Sequence, residues 1–121
     1  MQTIPASVHK LSVATSEGLY FFHADEIVRF EASSNYTYIH FTNRKPMLIA
    51  KVLGNYEDQL SSAGFVRTHR SHLINKQYVT FIDGRGNIVM EDNSRVEISR
   101  RKKKVVMSEL KKCFFQTRSA A

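Results

Sequence analysis

The chain has 121 residues, of which 42% are hydrophobic and 24% charged, and a formal net charge of +7 at pH 7. This is the composition of an ordinary globular domain with one modest core, and a single cysteine, Cys113, excludes a disulfide framework. Because there is no apolar run of about 18 residues and no hydrophobic signal region, we expect a cytoplasmic protein that does not span a membrane.

Short alternating segments separated by turn residues fill the first half of the chain, which is the pattern of antiparallel strands. Segments 8–14 and 19–23 flank the turn TSEG and predict a hairpin. Segments 27–32 and 36–41 flank the polar joint SSN, and a further strand at 47–50 follows the turn TNRKP. The first half is therefore predicted to be a series of β-hairpins.

Helical spacing and then a second meander follow. Leu53, Tyr56, Leu60 and Ala63 recur at helical intervals, and Gly64 is a C-terminal stop signal. From residue 78 onward, three short apolar segments are separated by the turn DGRGN and by a turn at residues 92–94. Asp-Gly between apolar segments indicates a hairpin, because glycine supplies the positive φ that tight turns need.

A C-terminal helix is predicted after Ser99, its expected N-cap. Its apolar stripe consists of Val106, Met107, Leu110, Cys113 and Phe114. The fold class is thus mainly β, with antiparallel strands and meanders, one short mid-chain helix and a C-terminal helix. We expect a folded domain over residues 8–115, with a flexible extension or linker at 1–7 and a flexible tail at 116–121.

The positive charge is concentrated at one end of the chain. Residues 1–99 contain ten Lys/Arg and ten Asp/Glu, whereas residues 100–121 contain eight Lys/Arg and one Glu. Five cations follow one another at residues 100–104, at the helix end where the helix dipole disfavours positive charge. Such asymmetry indicates a polyanionic partner, either nucleic acid or an anionic membrane, although a solvated basic tail gives the same pattern.

Catalysis and metal binding are not predicted. His69 and His72 lie in a strand-like context, so their side chains are expected on opposite sides, and no third metal ligand lies near them in the sequence. Gly84 and Gly86 do not form a phosphate loop, because no helix is predicted after them. We therefore expect no enzyme activity, no metal and no cofactor.

Nucleic-acid binding explains more of the pattern. Helix N-terminal amides favour phosphate, and the guanidinium groups of Arg100 and Arg101 beside Ser99 can bind phosphates and guanine edges. Two other predicted loops are polar or basic, SSN at residues 33–35 and HRS at residues 69–71. Each loop alone would usually be a solvated turn, but three together favour a nucleic-acid interface.

Three motifs resemble the LytTR family of bacterial DNA-binding domains. FVRTHRSHLINKQYV, starting at Phe65, is similar to the family signature of a phenylalanine, an arginine, a His-Arg-Ser triplet and an asparagine. IVRFEASSNYTYIHF and VEISRRKKKVV resemble the segments upstream and downstream of it. The resemblance covers about residues 8–110. His72 stands where the family usually has an aromatic residue, and the basic run is longer than usual.

The resemblance implies a domain that inserts loops, not a recognition helix, into successive major grooves of direct-repeat promoter sites and that bends the DNA. Residues that would read bases are Asn35, Thr37, Arg70 and Arg101. Residues that would bind phosphates are Ser33, Ser34, His69, Ser71, Ser99, Arg100, Lys102 and Lys104. The implied partners are double-stranded DNA, a second copy of the domain on DNA, and a receiver domain or sensor kinase of a two-component system.

Alternatives to this interpretation remain open. An RNA-binding β module would display aromatics on an open sheet, and here Tyr36 and Tyr38 share one strand face while Phe41 falls on the other. A membrane-surface or protein-interaction domain would use the basic C-terminus. Each of these residues also has a purely structural interpretation. His69 would hydrogen-bond in the core and Tyr36 would anchor it, and a group of other apolar residues is expected to be buried. The last group is Phe65, Leu73, Ile74, Phe81 and Phe114.

Overall fold

A computed structural model describes residues 10–113, which form ten strands and two α-helices. The strands are β1 Lys10–Thr15, β2 Gly18–His23, β3 Ile27–Ser33, β4 Tyr36–Phe41, β5 Met47–Ile49, β6 Phe65–His69, β7 His72–Asn75, β8 Val79–Ile82, β9 Ile88–Met90 and β10 Arg95–Val96. The helices are α1 Gly54–Ser61 and α2 Lys103–Cys113. The predicted fold class is confirmed, while the predicted tails and Phe114 lie outside the described residues.

The central layer is a five-stranded antiparallel sheet with the order β5-β4-β3-β7-β6. β1 and β2 form a separate hairpin, and β8, β9 and β10 form a three-stranded meander. β3 and β7 are distant in the sequence but pair in the middle of the central sheet, with Phe30 opposite Leu73. This pairing brings the turn after β3 beside the turn before β7.

The central sheet has a hydrophobic core on each face. On one face Phe30 packs against Tyr56 of α1 and Phe65 of β6, with ring centroids 5.5 and 5.7 Å apart, and the β1–β2 hairpin covers the rest. Ile74 points to the other face, because neighbouring strand residues alternate, and packs there with the meander and α2. Each fully buried large side chain contributes about 1.5–3 kcal/mol, so both layers hold the sheet in place.

Asn75 connects the end of β7 to the start of β3. Its side chain is buried, and Nδ2 donates to the carbonyl oxygens of Ala24 (3.3 Å) and Ile27 (3.0 Å). Its Oδ1 accepts from the backbone N–H of Gln77 at 3.3 Å. The carbonyl of Ala24 also accepts from the N–H of Ile27, so the amide matters most for the carbonyl of Ile27 and the N–H of Gln77. Satisfying such backbone groups explains an asparagine within an apolar strand.

Two residues expected in the core are exposed. Tyr36 is 48% exposed, because Thr37 and Ile39 occupy the inward positions of β4 and the alternation places Tyr36 outward. Phe81 is 59% exposed, since an irregularity between residues 79 and 81 shifts the register of β8 against β9. Phe65, Leu73 and Ile74 are buried as predicted. Neither helix formed by residues 10–113 is long and apolar enough to cross a membrane.

Candidate nucleic-acid interface

Three polar segments meet at one end of the central sheet: the first loop (residues 33–35), the second loop (residues 69–71) and the α2 entry (residues 99–102). Ala32, just before the first loop, donates its N–H to the carbonyl of Ser71 at 2.9 Å. Ser99 donates its N–H to the carbonyl of Thr68, just before the second loop, at 2.8 Å. The second loop is therefore linked by backbone hydrogen bonds to both other segments.

The first loop is a tight turn between β3 and β4, which Ser33 and Tyr36 close as a cross-strand pair. Ser34 adopts a left-handed backbone with φ of 58°, and Ser33, Ser34 and Asn35 are all exposed. The structure thus presents two hydroxyl groups and one amide to solvent at this end of the sheet.

Thr37 does not belong to this exposed set. It is fully buried, and its Oγ1 donates to the carbonyl of Lys51 at 2.6 Å. A side chain with this position and partner offers no polar atom to a base, so the prediction that Thr37 reads bases is wrong for this conformation. Thr37 instead ties β4 to the chain that follows β5.

The second loop is a turn between His69 of β6 and His72 of β7, which are cross-strand partners. Arg70 is exposed at the tip, while His69 and Ser71 are half-buried. Nδ1 of His69 accepts from the N–H of Ser71 at 3.1 Å, so this nitrogen carries no proton and Nε2 carries the proton of the neutral ring. The tip therefore offers a guanidinium and an imidazole side by side.

The two histidines lie on the same side of the sheet, contrary to the sequence expectation. Their ring centroids are 5.6 Å apart, because the turn separates them into two strands and makes them direct neighbours. Burial lowers the pKa of His72, and the nearby charge of Arg29 lowers it further. Across residues 10–113, no three His, Cys, Asp or Glu side chains are grouped to hold a metal ion.

The α2 entry differs from a simple capped helix start. Ser99 has an extended backbone, as expected of an N-cap, but its side chain makes no capping hydrogen bond. A 3-10 turn, Arg100–Lys102, comes first, and the α-helix begins only at Lys103. The prediction of an α-helix that starts directly after a side-chain cap at Ser99 is therefore wrong in this detail. Arg100, Arg101 and the following basic residues still stand at the start of the helix.

An open cleft of about 500 Å³ lies between the second loop and the α2 entry. Its lining residues are Arg67, His69, Arg70, Ser99, Arg101 and Lys102. A larger basic groove continues along α2 past Arg100 and Lys104. Within residues 10–113, no carboxylate lies within ion-pair distance of the five cations at residues 100–104. No carboxylate in this part of the chain therefore neutralises the positive potential of the groove, which favours a polyanionic ligand.

Residues 17–111 match the model of the LytTr DNA-binding domain. The chain belongs to this family. It is accordingly a DNA-binding domain of the kind found in transcriptional regulators.

Individual relatives agree with this membership. The heme-containing CO-sensing transcriptional regulators RcoM 1 and RcoM 2 of Paraburkholderia xenovorans are 30% and 29% identical over 97 residues, 78% of this chain. The chain spans 36% of the length of each of these relatives. In fold it is similar to the LytTr domain of a putative methyl-accepting/DNA response regulator from Bacillus cereus. That match has a TM-score of 0.70 and 21% identity, and covers 84% of this chain and 95% of the other.

Sequence reasoning missed one residue of this LytTr domain that the geometry places at the site. Arg67 lies beneath the second loop and donates to the carbonyl oxygens of His69 and Arg70. Its place in a strand gave no sign of this role, because the contacts depend on how the turn folds back. The only sequence signal was its position two residues before His69 in the family motif.

Proposed function

We propose that this domain recognises specific duplex DNA sequences by inserting the first loop, the second loop and the α2 entry into successive major grooves. In this proposal Asn35, Arg70 and Arg101 contact base edges, one from each segment. The phosphate contacts come from Ser33, Ser34, His69, Ser71, Ser99, Arg100, Lys102 and Lys104. The protein would act as a transcriptional regulator, in which this domain is the output domain of a two-component response regulator. Two copies of the domain would bind direct repeats as a dimer.

The observation that carries the proposal is the convergence of the three segments at one end of the sheet. Two backbone hydrogen bonds, Ala32 to Ser71 and Ser99 to Thr68, hold them side by side. Arg70 and Arg101 are exposed and line the same cleft, so two guanidinium groups can address neighbouring parts of one duplex. Guanidinium groups can bind guanine bidentately through O6 and N7, which gives sequence discrimination.

Selection of bound sequences from a random duplex library tests this function. We expect two similar short motifs separated by about one helical turn, which is the spacing that successive major grooves impose. Contacts to about 6–8 phosphates should give a slope of log affinity against log salt near −5 to −7. Absence of an enriched motif, or a slope near −1, would contradict the proposal.

Exposed aromatic residues support a second candidate, the binding of single-stranded RNA. Tyr36 is 48% and Tyr38 is 37% exposed, on the same face of β4, and bases can stack on such rings. Competition of a single-stranded RNA library against the selected duplex separates the two candidates. If RNA displaces the duplex at equal concentration, and Tyr38→Ala abolishes that displacement, the RNA interpretation replaces the DNA one.

A further inference from the structure

The guanidinium group of Arg67 is engaged by three acceptors at the base of the second loop. Nε donates to the carbonyl of His69 at 2.9 Å, and Nη2 donates to the carbonyl of Arg70 at 2.5 Å. Nη1 donates to Oε1 of Glu57 in α1 at 2.6 Å, where the two groups also form an ion pair. The Arg67 side chain is 15% exposed. It is thus placed to hold the loop more than to contact a ligand.

The acceptors explain why an arginine is needed at this position. Arg70 is a turn residue, so its carbonyl lies outside the strand ladder and requires another donor. A planar guanidinium can donate in several fixed directions at once, whereas a lysine ammonium presents a single flexible point charge. Such a group can join the neighbouring carbonyls of His69 and Arg70 to a carboxylate on a different element.

The same part of β6 also connects to the α2 entry. Thr68 follows Arg67 directly, and its carbonyl accepts the N–H of Ser99 at 2.8 Å. Arg67 and Arg101 line one cleft together with Arg70. Arg67 therefore lies where α1, the second loop and the α2 entry meet, and it acts on the segment that presents Arg70.

We propose that Arg67, held by Glu57, is a positioning residue that fixes the second loop so that Arg70 meets its base pair in one orientation. The inference rests on the proposed function, because it requires Arg70 to read bases. Preorganisation of this kind raises the affinity for the correct sequence and leaves nonspecific phosphate binding almost unchanged. Arg67 then influences sequence preference without touching DNA.

The test measures affinity for the best selected duplex and for a scrambled duplex, and compares the ratio of the two affinities. We expect Arg67→Ala and Arg67→Lys to lower this ratio by about tenfold, close to the effect of Arg70→Ala. In a background of Arg70→Ala, Arg67→Ala should change the ratio by less than about twofold, because it acts through Arg70. If the two effects multiply, Arg67 contacts DNA itself and the inference fails.

Glu57 gives an independent test from a residue on α1. Glu57→Ala removes a negative charge and should therefore increase affinity for the scrambled duplex. It should nevertheless lower the ratio of the two affinities, because Arg67 loses its ion-pair partner. Asp58→Ala, at the adjacent exposed carboxylate of α1, is the matched control and should leave the ratio unchanged. If Arg67→Ala fails to fold in a thermal melt, Glu57→Ala decides the question.

The possible failures can be told apart. If Arg70→Ala leaves the ratio unchanged, base reading by Arg70 is wrong and the positioning role falls with it. If Arg70→Ala lowers the ratio while Arg67→Ala and Glu57→Ala do not, the proposed function stands and only the role of Arg67 is overturned.

Discussion

The first and second loops lie side by side but are held in different ways. The side chains of Ser33, Ser34 and Asn35 make no hydrogen bond to any other residue within 10–113, and Ser34 adopts a left-handed backbone. The second loop, by contrast, is held at its carbonyl groups by Arg67 and internally by the imidazole of His69. One loop is therefore free to adapt, whereas the other is preorganised.

This difference has a consequence for recognition. A preorganised loop loses little conformational entropy on binding, so a wrong base costs it the full contact. A loop whose side chains lack partners can adjust to several bases, at the cost of ordering each side chain on binding. We therefore expect the second loop to carry more of the sequence discrimination than the first.

Asn75→Ala should destabilise the central sheet that carries both loops, and we expect the largest loss of stability from this substitution. The change leaves the carbonyl of Ile27 and the N–H of Gln77 without the Asn75 side chain, whereas the carbonyl of Ala24 keeps the N–H of Ile27 as a donor. At about 1–3 kcal/mol for a buried unsatisfied group, the free energy of unfolding should fall by about 3 kcal/mol, measured by urea denaturation. Gln77→Ala, at an exposed side chain, should cost less than about 1 kcal/mol.

The preference for the selected duplex should not change in the folded fraction of Asn75→Ala. Asn75 lies at the end of β7 opposite the loops, so the loss is one of stability alone. A changed preference without a loss of stability would show that Asn75 serves one loop directly.

Arg70→Ala and Asn35→Ala compare the two loops directly. Arg70→Ala should cost about 1–3 kcal/mol on the best duplex and relax the preference at one base pair. Asn35→Ala should cost about 1 kcal/mol or less, since its amide has to be ordered when it binds. Fluorescence anisotropy against a panel of single-base variants measures both, with the exposed Lys45→Ala as control. Equal losses across all sequences for both variants would contradict base reading.

Acid should destabilise the domain through His40, His72 and Glu31, which lie on one face of the central sheet. Burial and the charge of Arg29 lower the pKa of His40 and His72 below the ordinary 6.5, against the opposing effect of Glu31. Burial alone would raise the pKa of Glu31, but the hydrogen bond from His40 and the charge of Arg29 bring it below 4.5. Other charged groups near His72 are His69, which lowers its pKa, and Glu97, which raises it.

These shifts share one sign. Groups whose folded pKa is depressed contribute stability that is complete above the ordinary pKa and is lost as pH falls through the folded value. Melting temperature should therefore be highest near neutral pH and decline below about pH 6. His72→Phe should reduce this decline, and its buried Nδ1, which has no partner within the described part of the chain, would no longer be left unsatisfied. A profile unaffected by His72→Phe would contradict this assignment.

Local pattern predicted much of the fold, because each hairpin follows from alternation and turn residues near in sequence. The pairing of β3 with β7 was not predictable in this way, since it joins segments about 40 residues apart and no local signal sets their register. The prediction of buried residues failed where it depends on which face of a strand a side chain occupies. Tyr36 and Thr37 are neighbours in β4, and the polar Thr37 is the buried one. One register shift was enough to expose Phe81.

The candidate site was accessible only in part for the same reason. Exposed cations and polar loops, such as Arg70 and Arg101, could be recognised from composition and motif. The supports of the site could not, because the hydrogen bonds of Arg67 and Thr68 depend on the path of the turn and on the pairing of distant segments. No sequence pattern indicated that the N–H of Ser99 donates to the carbonyl of Thr68 in β6.

Lys102→Glu tests whether the α2 entry acts by charge or by a fixed structure like that of the second loop. An anion near a helix start is favourable by about 0.3–1 kcal/mol, so the free domain should gain about this much in a thermal melt. The gain cannot include a full capping box, because the N–H of Ser99 already donates to Thr68.

Lys102→Glu should lower the affinity for all duplexes by about the same factor. Lys111→Glu is the matched control: it places the same charge in the last turn of α2, where the dipole makes it unfavourable. Loss of stability on Lys102→Glu would show that Lys102 has a partner within the protein. Unchanged DNA affinity would place Lys102 outside the interface.

Ser34→Gly should have the smallest effect and act on the first loop alone. A residue with a Cβ pays about 1 kcal/mol or more in the left-handed region, where Ser34 lies at φ 58°, and glycine does not. Glycine loses about 0.5–1 kcal/mol through the greater freedom of the unfolded chain, so the net gain in stability should be about 0.5 kcal/mol or less. Asn35→Gly, where φ is not positive, offers no such relief and should destabilise the domain in the same melting experiment. Because no side-chain hydrogen bond within residues 10–113 joins the first loop to Arg70, Ser34→Gly should weaken binding to all duplexes slightly and equally. A change in preference at the base pair read by Arg70 would mean that the two loops act as one unit through the hydrogen bond between Ala32 and Ser71, and the contrast between them would fail.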